Sequence, residues 1–390
     1  MYCKREIGLI CQALIALVAC GIYTGAFGAI WYVEKDGSGD FTVIQEAVDA
    51  AAAGDTIMIG PGRYDDWVDV HAPAWTYPAV VWVTKDNLVF IGAGKESTHL
   101  GPEEYFCPPA SMPMVFCCID NYRFTIRDLT VENCYNGIYA YGRLEVMDCS
   151  VRNCEFGIGG FTENGMSIDS TTFGSEIFLS FGIVTYSPAN NPVITNCEFV
   201  GNGKGASFTG TNGVQVQDCI FTGERSAVMF YGSAGSVRNC YANQSDGTCF
   251  IARDGSEIEI LDCEFYGHVK SLSVNSGSAV RAENSIFRGG PQHSTILLTA
   301  AAQVFINGCH ILNGGGLSVK HEFYWAQYGS FVQDMTGNFW GTSDTEQIDA
   351  WIWDQNDDPS IFSVVNYLPL EDGPVPTEEK SFGSTKAMFR

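Results

Sequence analysis

Two stretches of the chain mix residue types that could do chemistry. Asp65-Asp66-Trp67-Val68-Asp69, with Trp75, Tyr77 and Trp82 close behind, sets carboxylates beside flat aromatic rings. Such rings stack on sugar faces, and carboxylates accept from sugar hydroxyls. Asp65, Asp66, Trp67, Asp69, Trp75 and Tyr77 are therefore the carbohydrate-contact candidates. The competing reading is that these aromatics cover a flank or an open end of the fold. Asp354-Gln355-Asn356-Asp357-Asp358 places oxygen ligands at alternate positions, as calcium loops do. Asp354, Asn356 and Asp358 are the metal candidates, and calcium is the cofactor they would take. Against this, Pro359 stands where such a loop needs Gly, and no Glu closes it, so a polar cap turn competes.

Other signals are weaker. Gly92-Ala93-Gly94-Lys95 lacks the upstream Gly and the following hydroxyl of a phosphate loop and reads as a strand turn. There is no Gly-x-Ser-x-Gly elbow and no Cys-x-x-Cys spacing, and the six histidines form no cluster. Lys4 and Arg5 followed by an apolar run, Ile7 to Ala19, read as an export signal. Leu17-Val18-Ala19-Cys20 resembles a lipobox, which would make Cys20 a lipidated first residue after removal of 1–19. Cleavage near Gly28 or Ala29, removing 1–29, is the alternative. No later apolar run is long enough to span a membrane.

Lys and Arg total 21 against 45 Asp and Glu, a net charge of -24. Such a surface repels phosphate backbones, which excludes nucleic acid as a partner. A polyanionic glycan is also a poor partner unless a cation or a local basic patch intervenes. A solenoid of this kind is expected to be monomeric.

The elements that must position these residues come from a repeat: apolar-x-apolar-x-Asp/Asn-Cys-x-Phe/Val. It runs Val214-Gln-Val216-Gln-Asp218-Cys219-Ile-Phe221 and again Ile258-Glu-Ile260-Leu-Asp262-Cys263-Glu-Phe265. The Cys position recurs at Leu129, Cys149, Thr171, Cys197, Cys219, Cys240, Cys263, Ser285, Cys309 and Met335, at intervals of 20 to 26 residues. Fixed strands joined by turns of variable length behave this way in solenoids. Within a copy the apolar residues alternate, as a strand requires. The parity then breaks: Val214 and Val216 share a face, but Cys219 and Phe221 fall out of step. The chain must bend sharply at Asp218. The same place holds Asp128, Asp148, Asn196, Asn239, Asp262, Asn284, Gly308 and Asp334, and Asn, Asp and Gly tolerate left-handed backbone.

Stacked coils of this kind form an all-β, single-stranded, right-handed parallel β-helix, expected over 30–370. The ladder cysteines are expected as buried thiols, because their parallel Cβ vectors suit a disulfide poorly. Cys107, Cys117 and Cys118 lie outside the ladder. Short helices are expected to cap both ends. Gln45 to Ala53 reads as the first. Residues 338–370 form the other cap, with a helix over Thr345 to Trp353, and 371–390 are expected to form a loose polar tail.

Asp36-Gly37-Ser38-Gly39-Asp40-Phe41-Thr42-Val43-Ile44-Gln45-Glu46-Ala47-Val48, followed by Gly54-Asp55-Thr56 and Pro61-Gly62-Arg63-Tyr64, resembles the opening of pectin methylesterases. It is equally similar to the wider pectin-lyase-like superfamily of right-handed β-helix proteins. Asn191-Pro192-Val193-Ile194-Thr195-Asn196-Cys197 and Asn338-Phe339-Trp340-Gly341-Thr342 resemble bacterial β-helix repeats. The resemblance implies fold rather than activity. A pectin methylesterase implies an Asp-Phe-Ile-Phe-Gly motif, which the chain lacks, so no catalytic residue is carried over. Gln217-Asp218 is the nearest fragment, and Asp218 has a corner to form.

Two readings follow. One is an exported or cell-surface β-helix that binds an envelope glycan or polysaccharide without catalysis. The other is a carbohydrate-active enzyme such as a polysaccharide lyase, which needs a base and a charge neutraliser in one groove. Arg143, Arg225, Arg238, Arg253 and Lys270 are scattered over separate coils, and the spacing does not say which of them meet.

Overall fold

A computed structural model describes residues 28–371 and 373, apart from 73–74, 109–110, 161–164, 178–179, 187–190, 245–246, 324–326 and 328. The proposed export signal, Cys20 and all but the first residues of the tail lie outside the described residues. The alternating strands and bent corners resolve into a right-handed parallel β-helix. Three sheets, of 14, 11 and 13 strands, run the length of the stack. Successive coils pair in parallel throughout, for example Val216↔Val237↔Ile260 in the first sheet and Phe199↔Phe221↔Ala242 in the second. The interior holds one continuous apolar core.

The corner between the first and second sheets forms as the broken parity requires. Asp128, Asp148, Ser170, Asn196, Asp218, Asn239, Asp262 and Asn284 all have φ between 50° and 56°. Asn and Asp hold this left-handed conformation at lower cost than β-branched residues. Replacing the exposed corner residue Asp262 with Val should cost about 1–2 kcal/mol, whereas Asp262→Gly should be nearly neutral. Urea denaturation of the two variants checks this, and equal losses would contradict the corner's role.

One anchor was misplaced. Asp334 belongs to the strand Phe331–Asp334. The last corner is Gly337, with φ 65°, and fully buried Asn338 takes the Cys position. Asp334-Met335 copies the local signature of a corner, but it lies three residues too early.

The described cysteines are free, and all but Cys107 are buried. The ladder has a hydrogen-bonding role that explains why Ser and Asn can replace Cys in it. From Cys240 to Cys309 each backbone N–H at this position donates to the side chain one coil further on. Cys240 N donates to Cys263 Sγ at 3.5 Å, Cys263 N to Ser285 Oγ at 3.1 Å, Ser285 N to Cys309 Sγ at 3.4 Å, and Cys309 N to Asn338 Oδ1 at 2.8 Å. The position thus wants a small side chain with a lone pair, facing inward. Burial pushes the Cys149 and Cys309 thiols up to about 12, so they stay protonated. Beside this ladder the rings of Phe173, Phe199 and Phe221 stack at centroid distances of 4.8 and 4.5 Å.

The ends are capped by less helix than expected. Helix α1 is Ile44–Ala50, shorter than Gln45 to Ala53, and Ala51 is already extended. Helix α2 is Thr345–Asp349, capped by Asp344, which accepts from the N–H groups of Glu346 and Gln347. Ile352–Trp353 does not continue it but joins the edge of the third sheet beside Val319 and Lys320. Among the described residues no helix is long and apolar enough to cross a membrane.

Candidate functional site

The carbohydrate-contact candidates lie on an insertion at the start of the third sheet. Val68–His71 and Thr76–Trp82 form an antiparallel hairpin, with Val70 opposite Tyr77. Trp75 is 69% exposed at its tip. Tyr77 packs with Val70 and Met114 on a small apolar cluster outside the main core. Trp67 instead packs against Phe106, with centroids 5.4 Å apart and the rings tilted by 43°. Asp66 pairs with Lys35 at 2.5 Å, while Asp65 and Asp69 are exposed. The hairpin therefore divides the six residues between different surroundings.

The metal candidates form a tight turn. Asp354 is 2% exposed, and its two oxygens accept from Asn356 N and Val365 N, each at 2.8 Å. Asp358 Oδ1 accepts from Ser360 N and Oγ. These carboxylate oxygens are engaged by the turn itself. Among the described residues no group of three or more His, Cys, Asp or Glu is arranged to hold a metal.

What the spacing left open is settled on the outer face of the third sheet. Parallel register aligns Asn136, Phe156, Phe181, Lys204, Ser226, Thr248 and Lys270 in one row across successive coils. Phe156 and Phe181 stack at 5.3 Å with an interplanar angle of 14°, and Lys204 Nζ lies over the Phe181 ring at 4.3 Å. Lys204 and Arg225 then line a single cavity of about 420 Å³, with Met229, Tyr231 and Ile251 among its walls and no carboxylate in its lining. Burial and the neighbouring Arg225 hold the Lys204 ammonium below its ordinary value. Further along the same face, Lys270 and Lys320 line a second cavity of about 330 Å³ with His293 and Glu322. Lys204 and Lys270 make no ion pair with a described residue.

Two cations lining one cavity with no carboxylate in its lining stand out on a molecule with a net charge of -24. Arg63 and Arg152, by contrast, share one buried carboxylate. Glu132, 3% exposed, accepts from Arg152 at 2.6 Å and pairs with Arg63 at 2.7 Å, with His99 at 3.1 Å. Burial opposes ionisation of Glu132, but the two guanidinium groups prevail and hold its carboxyl below its ordinary value. That network clamps the second sheet against the following loop, since Arg63 also donates to Gly101 O and Pro102 O.

Behind the first cavity, inside the solenoid, Asn202, Glu224 and Gln244 stand on three successive coils. Their exposures are 3%, 0% and 2%. Asn202 Nδ2 donates to Phe173 O at 3.1 Å and reaches Glu224 Oε1 at 3.5 Å. Glu224 Oε2 and the Gln244 amide face each other without a hydrogen bond of normal geometry. Burial pushes the Glu224 carboxyl up to about 8.

A parallel solenoid whose rows align like residues on one open face defines the right-handed β-helix class. The right handed beta helix region family matches residues 116–234 and 226–330, more than half of the chain, and the chain belongs to this family. Among solved structures it is similar to carrot pectin methylesterase, with 12% identity over 71% of this chain and 83% of that one, at a TM-score of 0.36. It is also similar to the A-module of the Azotobacter vinelandii mannuronan C-5 epimerase AlgE4, with 13% identity over 85% and 94% of the two chains, at a TM-score of 0.43. No curated protein matches the sequence.

Proposed function

We propose that the chain is an exported β-helix protein that binds an acidic polysaccharide along the outer face of its third sheet. The observation that carries this reading is the Lys204–Arg225 pair in a cavity lined by no carboxylate. Holding like charges side by side costs energy that an anionic ligand recovers. This is the local basic patch without which so acidic a molecule would repel a polyanion. The stacked rings of Phe156 and Phe181 give the row an apolar flank beside it. The face also extends. Lys204 and Lys270 are three strand spacings apart in one row, about 14 Å, more than one sugar ring spans.

Calorimetric titration with pectate, alginate and chondroitin fragments tests the proposal. Lys204→Gln and Arg225→Gln should each weaken binding about tenfold or more, as expected for a lost charge-assisted contact. Affinity should fall with added salt and rise with fragment length until Lys270 is reached. Unchanged affinity in both variants would sink the reading.

A second reading rests on the same pair. An amine whose proton affinity is lowered, next to a guanidinium, is the base and charge neutraliser that β-elimination of a uronate requires. A rise in ultraviolet absorbance from unsaturated uronate product, with or without calcium, would replace passive binding by lyase action.

A further inference from the structure

The outer face of the third sheet carries an apolar pattern that its cations do not account for. Parallel register aligns a second row across successive coils: Ser207, Met229, Ile251, Ser273 and Leu297. Met229 and Ile251 line the cavity that holds Lys204 and Arg225, and Val269 joins them. Ser207 and Ser273 flank the two within the row, so the apolar spot is two coils wide and gives way to a hydroxyl on either side. Met229 is 2% exposed and forms a floor rather than a rim. Tyr231 holds it there, donating from its hydroxyl to Met229 Sδ at 3.6 Å, while the Arg253 guanidinium lies 5.3 Å from the centre of the Tyr231 ring.

The pairing of a cation with an apolar spot then repeats. Lys204 and Met229 stand on adjacent coils in neighbouring rows, and Lys270 and Leu297 stand in the same relation. Lys204 aligns with Lys270 through Ser226 and Thr248, and Met229 aligns with Leu297 through Ile251 and Ser273. Both intervals are three strand spacings, about 14 Å. Leu297 lines the second cavity beside Lys270 and Leu317, and the carboxylate in that lining, Glu322, pairs with Lys320 at 2.5 Å. A polymer that offers only carboxylates and hydroxyls would lay polar groups on Met229, Ile251 and Leu297, where they lose water and gain no partner. A ligand with a small apolar group at the same interval as its acid groups satisfies both rows. On a polysaccharide that group is the methyl of an acetyl substituent. Ser226 and Thr248 line the same cavity and supply hydroxyl donors for the acetyl carbonyl.

We propose that this face selects an acidic polysaccharide that carries acetyl groups, one methyl resting on Met229 and Ile251 and the next on Leu297. The inference rests on the reading of the third sheet as a polysaccharide-binding face. Lys204 and Arg225 take the acid group, and Met229 and Ile251 determine which acidic polymer is preferred.

The test is calorimetric titration of the protein with two matched pairs of fragments, equal in length within each pair. In the first, chondroitin with its N-acetyl groups is set against chondroitin carrying N-formyl groups, which lack only the methyl. In the second, alginate acetylated on oxygen is set against the same alginate after mild alkaline removal of the esters. The acetylated member of at least one pair should bind about fourfold more tightly or better, the effect of withdrawing one methyl group from water. The pair that shows the difference tells whether the acetyl group is an amide or an ester. Ile251→Thr keeps a β-branched side chain on the outer surface of the strand and should reduce the ratio below about twofold. Lys204→Gln should weaken both members of a pair alike and keep the ratio. Ratios of one with all four fragments bound would overturn the acetyl inference and leave the acidic-polysaccharide reading standing. A ratio unchanged in Ile251→Thr would overturn it too, by placing the acetyl group elsewhere. Failure of all four fragments to bind would remove both readings.

Discussion

Raising the pH from 6.5 to 8 is expected to destabilise the protein by about 2 kcal/mol, and Glu224→Gln is expected to remove most of that loss. The cause is the carboxyl enclosed between Asn202 and Gln244. Its folded value, about 8, lies above the ordinary 4.5, so the native state keeps a proton that the unfolded state has released. Stability from this group is complete below about pH 4.5 and declines as pH rises to about 8, with a slope of about 1.4 kcal/mol per pH unit. Over the whole window the loss approaches 5 kcal/mol. His321 titrates in the opposite sense. Burial lowers it to about 4, so its contribution is present above about pH 6.5 and is lost as pH falls towards 4. Between these two limits the slopes oppose each other. Above about pH 7 His321 is neutral in both states and Glu224 carries most of the slope, with the buried thiols adding to it in the same sense towards pH 8. Urea midpoints at half-unit intervals of pH, for the native sequence and Glu224→Gln, give the answer. A slope undiminished in the variant would show that the proton is held elsewhere.

Truncating Phe199 to Ala should cost about 3–5 kcal/mol, a large part of a domain's stability. Phe199 is fully buried and lies between two parallel rings on the coils below and above. Its removal opens a void that neither neighbour can fill, because each is fixed by its own coil's backbone pairing. Val200 is the internal control: it is the next residue, 46% exposed, and Val200→Ala should change stability by less than about 0.5 kcal/mol. Chemical denaturation distinguishes the two. A loss at Phe199 as small as that at Val200 would mean that the stack relaxes around the gap.

The first two sheets were legible in the chain because one short pattern encodes both of their strands and the corner between them. Asp218 marks the bend, Val216 the strand before it and Phe221 the strand after. The third sheet lacks such a mark. Its strands follow turns of unequal length, and the inner row Ile183, Ala206, Val228 and Phe250 shares no residue type that spacing alone could align. The candidate site lies on that sheet, which is why it escaped a sequence reading. Lys204 sits between two glycines, as a surface turn residue would, and Arg225 is a full coil away. Only the register of the third sheet brings them to one cavity. The aromatic insertion at Asp65 to Tyr77 stood out in the sequence because its composition is local, and its division between two surroundings became visible only through the hairpin. Glu224 gave no signal, since a Glu beside an Arg normally marks a solvated turn.

The amide-to-side-chain ladder has a consequence for the order in which the molecule is assembled. From Cys240 to Cys309 each ladder amide looks towards the C-terminus for its acceptor, so these coils are complete only when their successors arrive. A chain made from its N-terminus therefore carries one unanswered N–H at its growing end over this stretch. Asn338 ends the series. Its side-chain carbonyl oxygen accepts from Cys309 N, and its Nδ2 donates to Ile306 O and Met335 O, so its side chain is satisfied by coils already formed. A polypeptide that stops before residue 338 would leave the Cys309 N–H without this acceptor. The last rung of the ladder is thus closed by a single side chain, and Ser363–Asn366 then covers the end of the first sheet.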